Sequence, residues 1–376
     1  MAILRPVLCV VILLAATASR GAGQVLAGPE GPVEFVGLER WSASELLEAI
    51  RQITPDQPLH ACAAVMKGQL GFADAAVRGY VDSPDHRGSQ RYTVIIGVED
   101  PARVRYRTAG SGTIDLPEPW QALKSVAEGD LAALYMASRL ARFRNSPEMV
   151  RQLAEPFGFD PTALDRVWEL TDAMDGEHDR LLAHEILAND TSWSARATAV
   201  SALVNFNNHD AAWHELISAM IDPDARVGAA ADAALRGWAR SAERRAVRWD
   251  AARASLVALL DGTNPYAFST VLRVLAATGI EPAFGRQLIR EAPDLLLAHV
   301  GAEHETTRES AIDLLKKVSG QDFGADLEAW SEWLSVEPDE PHESRASTRK
   351  ARTRLQNVAE ARIRGAGGNE EPLKRF

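Results

Sequence analysis

Hydrophobic positions change their period along the chain. Val33 to Leu38 alternates as a short strand. Ser42 then opens a helix, Glu45 completes a capping box, and Leu46, Leu47 and Ile50 share one face. Pro55 and Pro58 separate this helix from a second one predicted over Leu59 to about Leu70. Ala75 to Val81 and Tyr92 to Val98 return to a two-residue period. Tyr92, Val94, Ile96 and Val98 give the clearest strand pattern in the chain. Asp82 to Gln90, with Pro, Asp and Gly, reads as the hairpin loop between them. From Leu116 to Ser335 the pattern turns helical. Leu123, Val126, Leu131 and Leu134 follow helical spacing, as do Leu164, Val167, Leu170 and Met174.

The helical part repeats. Asp190 leads to Ala195-Arg196, Ala199 and Ala202-Leu203; Asp222 leads to Val227-Gly228, Ala231 and Ala234-Leu235. Ala267-Phe268 with Val271 and Val274-Leu275 follows 40 residues later, and Thr307-Arg308 with Ala311 and Leu314-Leu315 another 40 after that. Trp213 to Met220, Leu256 to Leu260 and Leu295 to Val300 supply the intervening first helices. A helix pair alone cannot bury its apolar face, so stacked neighbours must share a core. These positions resemble HEAT repeats. The resemblance implies an α-solenoid over 119–336 in which Arg196 and Arg308 bridge to an Asp of an adjacent loop, as against remaining solvated charges. Leu327, Trp330, Trp333 and Leu334, after Ser319-Gly320-Gln321-Asp322-Phe323-Gly324, resemble the capping end of such a stack.

The earlier strand, helix, helix, strand, strand order resembles a POTRA domain over 33–107. Phe35-Val36-Gly37-Leu38, Leu70-Gly71-Phe72 and Val98-Glu99-Asp100-Pro101 carry the likeness. POTRA domains usually come in tandem before a membrane barrel, and no barrel-like series of strands follows here. The resemblance implies partner binding by strand addition at a sheet edge. The fold class is therefore multidomain, α+β then all-α, with 108–118 as linker; Gly110-Ser111-Gly112 belongs to that linker.

The ends add a compartment. Arg5 and the twelve-residue apolar run Val7 to Ala18 read as a signal peptide over 1–23, cleaved after Ala18 or before Gln24. Twelve apolar residues are too few to span a bilayer, so the processed chain is expected not to be an integral membrane protein, and to be periplasmic or secreted. Residues 24–32, with two Gly and two Pro, read as an irregular leader. Cleavage leaves Cys62 as a single thiol, either buried among Ala61, Ala63, Ala64 and Val65 or free for an intermolecular bridge.

Charge narrows the partners. Residues 24–344 carry 30 Lys and Arg against 49 Asp and Glu, a net −19, and 345–376 carry 9 against 3. The body would repel nucleic acid, and the basic, partly disordered tail 337–376 is the segment suited to an anionic surface. The chain contains no HExxH, GxSxG, Walker or GxGxxG motif. His178, His184, His209, His214, His299 and His304 show no i, i+4 pair on one helix. No catalytic, cofactor or metal residue is assigned.

The resulting expectation is an exported, non-catalytic protein-interaction scaffold of the bacterial cell envelope that binds one or more protein partners. Asp190, Arg196, Asp222 and Arg308 are its repeat positions, and Tyr92, Val94, Ile96, Trp213 and Trp238 its candidate partner surface. Two alternatives stand beside it. One is a hydrolase or lyase with its site in the concave solenoid face, and the other an anionic-surface binder acting through the tail.

Overall fold

A computed structural model describes residues 23–28, 31–55, 58–81, 91–155, 158–240 and 245–336. Residues 1–22 of the expected signal segment, the loop Asp82 to Gln90 and the tail 337–376 lie outside the described residues.

The first correction comes at the start. Residues 24–28, expected to be leader, form strand β1 (Gln24–Gly28), antiparallel to β2 (Gly31–Val36). Helix α1 (Ala43–Ile53) starts at Ser42 with both halves of the predicted capping box in place. Helix α2 (Cys62–Gln69), β3 (Asp74–Val81) and β4 (Arg91–Val98) follow. The sheet order is β1-β2-β4-β3, with β2 parallel and β3 antiparallel to β4. β4 is thus central, and all of Val94 to Val98 is buried. One sheet face, including Val33, Phe35 and Ile95, packs on Leu46, Leu47, Ile50, Val65 and Met66 of α1 and α2. Each such side chain, once fully buried, contributes about 1.5–3 kcal/mol. Cys62 is buried in the same core.

Twelve-residue α3 (Glu118–Gly129) begins the helical part, followed by α4 (Leu131–Leu140), α5 (Pro147–Ala154), α6 (Pro161–Asp172), α7 (Glu177–Asn189) and α8 (Trp193–Ala202). Then come α9 (Asp210–Ala219), α10 (Ala225–Ala239), α11 (Arg253–Asp261) and α12 (Phe268–Ala277). The series ends with α13 (Pro282–Glu291), α14 (Asp294–Val300), α15 (Glu305–Ser319) and α16 (Leu327–Ser335). Four pairs pack internally: α7 on α8, α9 on α10, α11 on α12, and α14 on α15. Neighbouring pairs stack in two rows, α7-α9-α11-α14 and α8-α10-α12-α15. The second row is built from the repeated Ala and Leu positions; Ala199, Ala231, Val271 and Ala311 are each 0% exposed. Small residues there let helices approach closely. Helices α3 and α4 do not extend the rows. They lie across α8 and α10, with α6 packed on both, as a third layer.

Residues through Ser331 form one compact unit, so the sheet and these helices are not separate bodies. The second unit begins at Glu332, and its described residues complete α16. Trp330 is fully buried, donates from Nε1 to the Gly324 carbonyl at 2.9 Å and meets the edge of Phe323. Among the described residues no helix is long and apolar enough to cross a membrane.

Candidate functional site

The repeat positions build a ladder of buried polar contacts. Arg196 is 2% exposed. Its Nε and Nη2 donate to both oxygens of Asp222 in the next loop, each at 2.9 Å, and its Nη1 donates to the Asp190 and Thr191 carbonyls. A planar guanidinium suits this arrangement because its fork matches a carboxylate. Asp190 accepts from the backbone N–H groups of Ser192 and Ile114. Arg308 instead donates to the Ala302 and Glu303 carbonyls of its own loop. Where the second unit has Gly228 in place of the Arg, the Asn264 amide lies 3.2 Å from a built Cβ and donates to the Met220 carbonyl. The third unit fills the position with the Phe268 ring, tilted against His299 with ring centroids 4.4 Å apart.

This ladder is occupied from within the chain. Residues 103–114 run along it as a strap. Arg103 donates to the Asp261 carbonyl, the Arg105 N–H to the Thr263 hydroxyl, Arg107 to Asp222, and the Gly112 N–H to the Asn189 carbonyl. Of the segment read as a linker, 108–118, Gly112 and Ile114 are bound to this ladder. At the far end Glu34 of β2 is 0% exposed and accepts from the backbone N–H groups of Glu303 and His304 and from the Thr307 hydroxyl. Its negative charge sits at the positive end of α15.

The expected partner surface is placed in the interior. Tyr92, Val94 and Ile96 are 2%, 1% and 2% exposed. They share the sheet face opposite Ile95, and Tyr92 stacks on His304 at 4.1 Å. Helices cover this second face, so alternation along β4 did not mean one wet side. Trp213 and Trp238 pack against each other at 4.5 Å, and their Nε1 groups donate to the Asn207 and Val204 carbonyls. They are core aromatics.

What stays open is a groove where the third layer stops. Its walls are α10, α12 and α15, and its volume is about 590 Å³. Ala239, Ala276 and Ala277 provide small apolar positions among Arg236, Arg240, Arg273, Lys316 and Lys317, with Thr270 and Asp313. The end of α4 abuts it: Arg142 donates to the Arg240 carbonyl, and the α4 backbone meets α10 at Gly237, where a Cβ would lie 2.7 Å from the Ser138 carbonyl oxygen. Asp232 holds Arg236 at 2.7 Å and Asp322 holds Lys316 at 2.9 Å. Among the described residues Arg139, Arg240, Arg273 and Lys317 have no ion-pair partner. Three helix C-termini offset only about half a charge each, so positive charge remains in surplus.

The electrostatics agree. Burial in the groove, then repulsion from Arg139, Arg273 and Arg142, lowers the Arg240 pKa below the ordinary arginine value. Burial, then Arg78, does the same at Arg273, against the opposing pull of Tyr80, Asp232 and Glu309. Burial raises the pKa of Asp232, against the attraction of Arg78. A bound anion would relieve the crowding of like charge. Among the described residues no group of three His, Cys, Asp or Glu gathers as a metal site.

The groove cations were passed over in the sequence because basic residues near helix C-termini ordinarily answer the helix dipole. The repeat register held the signal: positions 236, 276 and 316 recur at 40-residue spacing and carry Arg, Ala and Lys along one side of neighbouring helices. Comparison with protein-family models, with curated proteins and with solved structures found no match.

Proposed function

We propose that the chain is an exported, non-catalytic protein–protein interaction scaffold of the bacterial cell envelope. In this reading the helix pairs are HEAT-like repeats stacked as an α-solenoid, and the sheet with α1 and α2 is a POTRA-like module docked onto it. One observation carries the proposal: the loop ladder is covered by the chain's own strap and sheet, while the α10-α12-α15 face keeps an open, charged groove. An array that satisfies its own loop edge presents the remaining face to others. Export rests on the apolar run Val7 to Ala18. The buried β4 moves the expected contact away from Tyr92, Val94 and Ile96 to the groove.

The test is a photo-crosslinking amino acid placed at Ala277 in the groove or at Glu185 on α7, in the full chain in native envelopes. A discrete protein adduct from Ala277 and none from Glu185 is expected. Equal adducts from both positions, or none from Ala277, would overturn the proposal.

A further inference from the structure

Resting on the scaffold reading, we infer that the α10-α12-α15 groove binds a short, extended, acidic peptide segment of its partner, with two carboxylates two or three residues apart engaged by Arg240 and Arg273. Neighbouring packed helices lie 8–10 Å apart. Crossing three of them takes roughly 20 Å, which an extended chain covers in about six residues at ~3.3–3.6 Å each. The groove's volume of about 590 Å³ is of the size that holds such a segment's buried side chains rather than a folded domain.

The lining selects peptide over other anions. Arg240 and Arg273 stand on adjacent helices with no ion-pair partner among the described residues, and guanidinium forks bind carboxylates in two-point fashion. Asp313 stands on the same rim. A carboxylate there opposes a dense phosphate charge but accepts a peptide N–H. Ala239, Ala276 and Ala277 put no long side chain between the groove and an approaching backbone. The surrounding body, net −19 over residues 24–344, repels an extended polyanion such as nucleic acid or an anionic bilayer. A segment whose few negative charges all fall within the groove avoids that repulsion.

Binding is measured by fluorescence anisotropy on the full-length protein. One probe is a hexapeptide library with two Asp or Glu at varied spacing; the other is a matched library with Asn or Gln. Wild type is compared with Arg240→Gln, Arg273→Gln and Arg273→Lys, each variant's fold being checked by circular dichroism. Acidic peptides are expected to bind at least tenfold tighter than neutral ones, with affinity falling as salt rises. Each Gln variant should lose about tenfold, and Arg273→Lys should lose less than Arg273→Gln. Equal binding of both libraries, or no effect of either Gln variant, overturns the inference. So does inorganic phosphate, duplex DNA or phosphatidylserine vesicles binding through Arg240 and Arg273 more tightly than the acidic peptides. Protein adducts from Ala277 in envelopes together with no preference for acidic peptides would sink this inference and leave the scaffold reading standing.

Discussion

At the residue scale, stability is concentrated in a few buried charges. Asp222 is 1% exposed and receives both Arg196 and Arg107. Asp222→Ala leaves the Arg196 guanidinium buried with no counter-charge, a loss of about 3–5 kcal/mol. Urea denaturation should show it as a large drop in midpoint, whereas Asp224→Ala, at a partly exposed position nearby, should cost far less. His299 contributes a pH dependence. Burial pushes its pKa from an ordinary 6.5 down to about 4, although its Nδ1 lies 2.8 Å from the Leu295 carbonyl; the charge of Arg78 adds to the depression. Between these values the unfolded chain binds the proton and the folded chain does not. Stability is therefore full above pH 6.5 and declines as pH falls towards 4. Glu99 adds a second, more acidic step. Burial raises its pKa, but the Arg40 side chain and the N–H groups of Glu39, Arg40 and Trp41 outweigh burial and bring it below the ordinary 4.5. Its contribution is present above that value and is lost below it. His299→Phe should flatten the first decline and spare the second. An unchanged slope between pH 4 and 6.5 would contradict the assignment to His299.

At the scale of elements, close approach fixes the strap and capping fixes the sheet. A Cβ on Gly110 would lie 2.0 Å from the carbonyl carbon of Asn189, backbone that cannot yield. Gly110→Ala should lift the strap and open Arg105 and Arg107 to trypsin, read as faster cleavage in limited proteolysis. Glu34→Ala strips the partner from N–H groups entering α15, costing about 1–3 kcal/mol. Faster hydrogen exchange at 303–307 is the measurement. These elements also mark what the sequence made legible. α1 could be placed to the residue because Ser42 and Glu45 cap it locally. β2, β3 and β4 followed from alternation, and the stacked second-row helices from their repeated Ala and Leu. β1 was hidden because Gln24–Gly28 is short and flanked by Gly and Pro, and its pairing with β2 supplies what its own pattern lacks. The burial of Tyr92, Val94 and Ile96 was hidden for another reason. It depends on helices some 200 residues away, about which the strand's own pattern is silent. Arg196 was recognisable as a ladder residue, while Arg308 has the same position in the repeat and a different partner.

At the scale of the molecule, the sheet, strap and helices through Ser331 share one unit and should melt together. Calorimetry is expected to give one transition for them, and an earlier, separate melting of the sheet would break that picture. Glu34 meets Thr307 across 273 residues, and Asp74 meets Asn264 across 190. The portion synthesised first must wait for a seat made almost last. Such separations slow folding, because long loops close before their contacts repay them. A nascent chain halted at residue 290 should leave β2 and β4 open to rapid exchange, since α14 and α15 have yet to form. Completion becomes a late event in the life of the polypeptide, which leaves it pliable while it is being made.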